Sequence, residues 1–186
     1  MSKKPAASTE NVFFEYRVAS RRVTKVLKSG RIFSFASLSV IGNGAGSYGI
    51  GTGKAMEAMH AHKKSIVSAK KNLKTVKIGR TIPHAVSARF GSTKVILRPA
   101  LPGTGIVAGG AVKILLEGIG VKDIVAKIIG STNKYTALLC TTRALDKLRS
   151  VRQIAILRRK KVKDVVSAMP SKSQNTNDTT SEQENS

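Results

Sequence analysis

Six glycines and a closing lysine fall within Gly42-Asn43-Gly44-Ala45-Gly46-Ser47-Tyr48-Gly49-Ile50-Gly51-Thr52-Gly53-Lys54. The chemistry such a stretch could perform is the holding of phosphate. Glycine lets the backbone take positive φ and approach another backbone closely. A Walker-type loop requires Gly-x-x-x-x-Gly-Lys-Ser/Thr. Here Tyr48 stands at the first glycine position and Ala55 follows Lys54, so that reading fails. Gly44, Gly46 and Gly49 match a dinucleotide fingerprint, which needs a ribose-binding acid about 20 residues on. Lys63 to Lys74 holds no acid. Two readings stay open: a hairpin whose bare backbone lies against a phosphate-rich partner with Lys54 at its base, or a bulged turn with no such role.

Other chemistries are poorly supplied. Three histidines, ten acids and one cysteine give no paired carboxylates and no nucleophile with an evident base. His60 and His62 sit two apart, which on a helix points them in different directions, so no metal site is expected. Cys140 lies in an apolar helical pattern and reads as a core filler, and a lone cysteine excludes an internal disulfide. His84, beside Pro83, reads as a strand-end residue. No catalytic residue, metal or cofactor is assigned.

The charge points to partners. Thirty-three Lys and Arg against ten Asp and Glu give a formal +23 in 186 residues, which argues for a polyanion. No apolar run approaches the roughly 20 residues of a membrane span. The N-terminus lacks the apolar centre of a secretory signal. A cytosolic nucleic-acid-binding protein is the expectation.

The elements that must position these residues follow in order. Residues 1–11 read as a disordered lead-in. Val12–Val26 reads as a first strand with a basic face. Arg21 to Arg31 carries five cations in eleven residues (Arg21, Arg22, Lys25, Lys28 and Arg31) around a turn at Ser29-Gly30. Clustering at a loop favours phosphate contact. Ile32–Ile41 reads as a second strand, and Asn43-Gly44 suits a type I′ hairpin turn. Lys54–Leu73 reads as a helix with a packing stripe at Ala55, Ala58, His62, Ser65, Ile66, Ala69 and Leu73. Lys63, Lys64, Lys70 and Lys71 lie on its other side. This outline is that of a double-stranded-RNA-binding-like module, which reads shape and phosphates more than sequence.

A break at Lys77–Arg80 precedes strands at Thr81–Phe90 and Thr93–Pro99. A glycine-rich turn over Gly103–Gly110 then leads into a helix over Val107–Gly118. Its free N–H groups could hold an anion, or its small residues could serve close packing. A strand over Val121–Gly130 and a helix over Lys134–Leu148, N-capped within Ser131–Asn133, complete a second α+β sandwich. Val151–Ser167 reads as a basic helix, and residues 168–186 as a disordered polar tail. Two domains are expected, at 12–78 and 79–167.

Four blocks together resemble one family over residues 12 to about 167. They are Arg22-Val23-Thr24-Lys25 with Gly30–Phe35, the Gly42–Lys54 string, Pro99 with Pro102–Ala111, and Gly130-Ser131-Thr132-Asn133. In this order and at these separations the chain is similar to the S-five family of bacterial small-subunit ribosomal proteins. The resemblance implies a double-stranded-RNA-binding-like domain followed by an α/β sandwich. It also implies a cytoplasmic place in the ribosome, with an organelle ribosome as the alternative. Implied partners are small-subunit rRNA, mRNA near its entrance channel, and ribosomal proteins four and eight, with a part in assembly and decoding accuracy. RNA contact would fall to the arginines and lysines above, Lys54 included, and to Asn43, Gly44, Gly46, Gly49, Gly51 and Gly53. Thr24, Lys25 and Gly30 inherit the spectinomycin-site loop. Gly103, Thr104, Gly105 and Lys113 inherit the face toward protein four.

The chain departs from the family pattern at Ser29, Ser47 and Lys113. It departs again at Arg159, where glycine is common. The resemblance also relates the second half to small-molecule kinases, yet Gly103–Gly110 lacks a serine pair for magnesium and phosphate, and Glu117 is the sole acid near it. A free-standing RNA-binding protein is the other alternative.

Overall fold

The computed structural model describes residues 13–167. The chain divides after Leu148 into two compact units. The first holds two four-stranded sheets. β1 (Phe14–Leu27), β2 (Gly30–Gly42), β3 (Ser47–Ala55) and β4 (Leu73–Thr75) form one, in that order and fully antiparallel. Helix α1 (Ala58–Lys71) connects β3 to β4. The second sheet runs β5 (Val86–Phe90), β6 (Thr93–Pro99), β8 (Ile124–Gly130), β7 (Ile106–Val107), with β7 parallel to β8 across α2 (Gly110–Ile119). Helix α3 (Lys134–Asp146) follows β8 and packs on β5 and β6.

Alternation along the strands decides what each face of the first sheet meets. Ser37, Ser39 and Ile41 of β2 pair with Gly53, Gly51 and Gly49 of β3 and face α1. There Ser39 Oγ lies 2.7 Å from Ser65 Oγ and 3.1 Å from His62 Nδ1. The opposite face carries Leu38, Val40 and Tyr48, which join Val112, Leu115, Leu116 and Leu138 in one core cluster shared by both sheets. Each of these aliphatic side chains is buried, and full burial of one contributes about 1.5–3 kcal/mol. Tyr48 is buried too, and loss of solvent pushes its phenol up to about 12, against a small lowering from nearby Thr142. Helix α2 stops at Gly120, whose φ of +96° allows its N–H to cap the Leu116 and Glu117 carbonyls.

Several expected boundaries move. Lys54 belongs to β3, since its partner Ala36 continues the ladder past Gly53. Helix α1 starts only at Ala58, and Ala61 joins Ser65 and Ala69 as its buried positions. Leu73 leaves the helix to pair with Gly49 in β4, a strand that three residues are too few to reveal. The Asn43-Gly44 turn is not type I′, because Gly44 has positive φ and Asn43 does not. Asn43 Oδ1 instead accepts from the Ala45 and Ser47 amides. Ile106–Val107 is a strand, so α2 begins three residues later than expected. The strand expected at Thr81–Phe90 forms only from Val86, and that expected at Val121–Gly130 only from Ile124.

In the second unit, Ser150 and Gln153 form a capping box at the start of α4 (Val151–Arg158). The single basic helix expected over Val151–Ser167 is broken at Arg159, with φ +49°, before α5 (Val162–Ser167). The expected lead-in at 1–11 and tail at 168–186 lie outside the described residues.

Candidate nucleic-acid interface

β3 ends at Ala55, whose partner is Phe35, while β1 and β2 go on pairing to Leu27↔Gly30. Five further pairs therefore project as a two-stranded arm, about 17 Å long at roughly 3.4 Å per residue. Every residue from Thr24 to Phe33 is exposed. Lys25, Lys28 and Arg31 lie on the arm with Thr24 and Gly30, and Arg22 stands at its base. Register puts Arg22 diagonal to Phe33, and its guanidinium lies 4.7 Å from the Phe33 ring centre. That cation–π contact seats the arginine on an exposed aromatic ring at the base of the arm.

A second cationic group lies on α1. Ala61, Ser65 and Ala69 are buried against the sheet, leaving Lys63, Lys64, Lys70 and Lys71 exposed. Of these, Lys70 is tied to Glu15 at 3.1 Å. Arg21 and Lys54 form a third group, since both pair with Ala36 from either side and so share the sheet face opposite α1. The family resemblance places these ten cations in one RNA-facing set; the fold separates them onto an arm and two faces. Charge is one-sided throughout, for Glu57 is the only acid between Glu15 and Glu117.

The glycines answer a different need. A Cβ on Gly49, Gly51 or Gly53 would overlap the carbonyl of Ala69, Ser65 or Ala61 of α1. Gly46, Gly49 and Gly51 are buried. The loop they follow docks inward as well, with Gly44 N donating to Gly118 O at 3.0 Å and Gly46 N to Ile119 O at 2.9 Å. The backbone that needs these glycines close is therefore the chain's own, in α1 and at the end of α2. Asn43, Gly44, Gly46, Gly49, Gly51 and Gly53, expected to present bare backbone to a phosphate-rich partner, are each engaged within the fold.

The Gly103–Gly110 turn does hold an anion, and it is internal. Asp123 Oδ1 accepts from the Gly103 and Gly105 amides at 2.9 and 3.0 Å, and Arg80 Nε donates to Oδ2. The Arg80 hydrogen bond, then the Gly105 amide, hold the buried carboxyl below its ordinary 3.8. Gly103 and Thr104 remain exposed on this braced loop, while Gly105 is half-buried. Lys113, on the exposed side of α2, sits 3.8 Å from Glu117. Cys140 is fully buried, its thiol toward the Ala88 carbonyl. Among the described residues no cluster of His, Cys, Asp and Glu could hold a metal, and no helix is long and apolar enough to cross a membrane.

Sequence reasoning placed the cationic turn at Ser29-Gly30 but missed how far the hairpin projects, which depends on where β3 ends. It also missed Asp123, whose role depends on contacts with residues 18 to 43 positions away.

Comparison with known proteins agrees with this two-sheet layout. Residues 13–77 match the family model described as ribosomal protein S5, N-terminal domain, and residues 88–158 that described as ribosomal protein S5, C-terminal domain. Small ribosomal subunit protein uS5 of Ehrlichia canis (strain Jake) is 44% identical over 158 residues, 84% of this chain and 91% of its own. The protein of that name from Rickettsia bellii (strain RML369-C) is 46% identical over 158 residues, 84% of this chain and 90% of its own. That of Bacteroides fragilis (strain YCH46) is 48% identical over 139 residues, 74% of this chain and 81% of its own. With both domain matches in order and this identity over most of its length, the chain belongs to the ribosomal protein S5 family, a family of structural proteins and not of enzymes.

Proposed function

We propose that this chain is a structural component of the small ribosomal subunit that binds small-subunit rRNA through the β1–β2 arm and the exposed lysines of α1. The observation that carries the reading is the arm: cations at Arg22, Lys25, Lys28 and Arg31 on a projecting hairpin, in a segment without an acid from Tyr16 to Met56. Such a hairpin can reach phosphates that a flat sheet face cannot, and each neutralised phosphate releases counterions. The names of the relatives, all of the small ribosomal subunit, support the same assembly.

The finer assignments belong to this reading. Residues 12–78 and 79–167 serve as two functional domains, supported by family matches on either side of the irregular segment 76–85. Thr24, Lys25 and Gly30 form the spectinomycin-site loop. Gly103, Thr104, Gly105 and Lys113 face ribosomal protein four, and a further surface meets protein eight. The chain lies beside the mRNA path and supports assembly and decoding accuracy.

A sucrose gradient of lysate containing the tagged chain, run at low and high salt, tests the reading. Retention in the small-subunit peak at high salt is expected. Migration at the top of the gradient under both conditions refutes it in favour of a free RNA-binding protein.

A further inference from the structure

One cavity of about 380 Å³ lies at the base of the arm, where Val23 joins its lining, over the sheet face opposite α1 that carries Arg21 and Lys54. Its floor is fixed by register. Ala19 pairs with Leu38 and Arg21 with Ala36 on one side, and Leu38 with Thr52 and Ala36 with Lys54 on the other. All six side chains thus share one face, and three of them, Ala19, Ala36 and Leu38, are apolar. The first turn of α3 makes the wall, through Asn133, Lys134 and Tyr135. Lys134 Nζ donates to Val18 O at 3.3 Å, which ties that wall to β1.

The chemistry of the cavity is uneven. No acid lines it. Among the described residues neither Arg21 nor Lys54 has an ion-pair partner. Tyr135 is 43% exposed, an aromatic ring left at the rim. A small apolar floor, an aromatic wall and two free cations suit a flat ring that carries an anion at its edge. The volume falls within the roughly 300–1,000 Å³ of small-ligand sites.

We propose that this cavity takes one unstacked nucleotide of a single-stranded RNA segment, its base over Ala36 and Leu38 beside Tyr135 and its phosphate between Arg21 and Lys54. The inference rests on the RNA-binding reading above and adds a site to it. An acidic peptide would meet the cations but leave the apolar floor uncovered. A base held within a duplex could not enter.

The chain has no tryptophan, so Tyr135→Trp in the full chain keeps the aromatic wall and supplies a unique emission signal. Short single-stranded RNA of mixed sequence should quench and shift that emission, a blunt duplex of equal length much less, and polyglutamate not at all. Ala36→Leu, which fills the floor, should weaken single-strand binding about fivefold or more, as loss of one base–aromatic stack does, with the salt dependence unchanged. Binding is followed independently by anisotropy of labelled RNA. Emission unmoved while RNA is bound, equal response to polyglutamate, or unaltered affinity of Ala36→Leu would each overturn the pocket and leave the RNA-binding reading standing. Absence of any RNA binding by the unsubstituted chain would overturn both.

Discussion

Gly51 lies directly beneath the Ser65 carbonyl, so that a Cβ on Gly51 would overlap that oxygen and the Ala69 amide as well. The contact explains why a glycine-rich strand sits under α1: alternate residues of β3 face the helix, and the three that lie against its backbone, at 49, 51 and 53, are all glycines. The helix is thereby drawn close enough for Ser65 and Ser39 to share a buried hydrogen bond of 2.7 Å.

Gly51→Ala should destabilise the fold by about 1–3 kcal/mol or more, as overpacking against backbone does. Gly79→Ala is the control, because nothing lies within 4 Å of its added methyl and its φ is not positive. That change should be neutral, or stabilising by about 0.4–1 kcal/mol through the unfolded chain. Urea midpoints of the two variants decide the matter. Equal midpoints would remove close packing as the reason for the string.

Lys25→Ala and Lys28→Ala should weaken rRNA binding and lower the slope of log K against log salt by up to about 0.9 for each lost phosphate contact. Both residues are exposed on the arm, away from the core, so melting temperature should stay put. Filter binding over a salt series reads both quantities. An unchanged slope would take the arm out of the interface.

Asp123 carries a pH dependence whose sign follows from its partners. Arg80 and the Gly105 and Gly103 amides lower its folded pKa below the ordinary 3.8. The stabilisation is then fully present above that value and is lost as pH falls through the folded one. Asp123→Asn should therefore be less stable than the unsubstituted chain at neutral pH, with the gap closing on acidification below the ordinary value. Proteolysis at the 101–105 loop should rise in parallel. A gap that is the same at neutral and acid pH would mean that Asp123 contributes by shape alone.

Arg159 is the sole non-glycine residue with positive φ among the described residues. A side chain pays roughly 1–2 kcal/mol in that conformation, and glycine does not. Arg159→Gly should slow amide exchange across the last turn of α4, where Arg159 N and Lys160 N close on Ile156 and Ala155 carbonyls at 3.1 Å. Faster exchange there would show the arginine side chain to be doing something glycine cannot.

What the sequence by itself determined was largely local. Apolar runs bounded by turn residues announce β1, β2, β6 and β8, and Asn133 announces α3, where its side chain accepts from Tyr135 N. The excess of Lys and Arg over Asp and Glu points to a polyanion before any fold is known. Four ordered blocks point to the family, because the order and separation of motifs survive in one dimension.

Tertiary structure decided what those motifs touch. Glycine in a strand is ambiguous in sequence, since RNA backbone and helix backbone both demand a missing Cβ; only the approach of α1 shows which one uses Gly49, Gly51 and Gly53. Loop amides at Gly103 and Gly105 look the same whether an outside phosphate or Asp123 accepts from them, and Asp123 lies 18 to 20 residues on in the chain. The cavity beside Tyr135 is the furthest from sequence, for its floor and wall join Ala36 to a helix about a hundred residues later. Long-range packing leaves no periodicity in the chain, so contacts of this kind exist only once the strands have found their register.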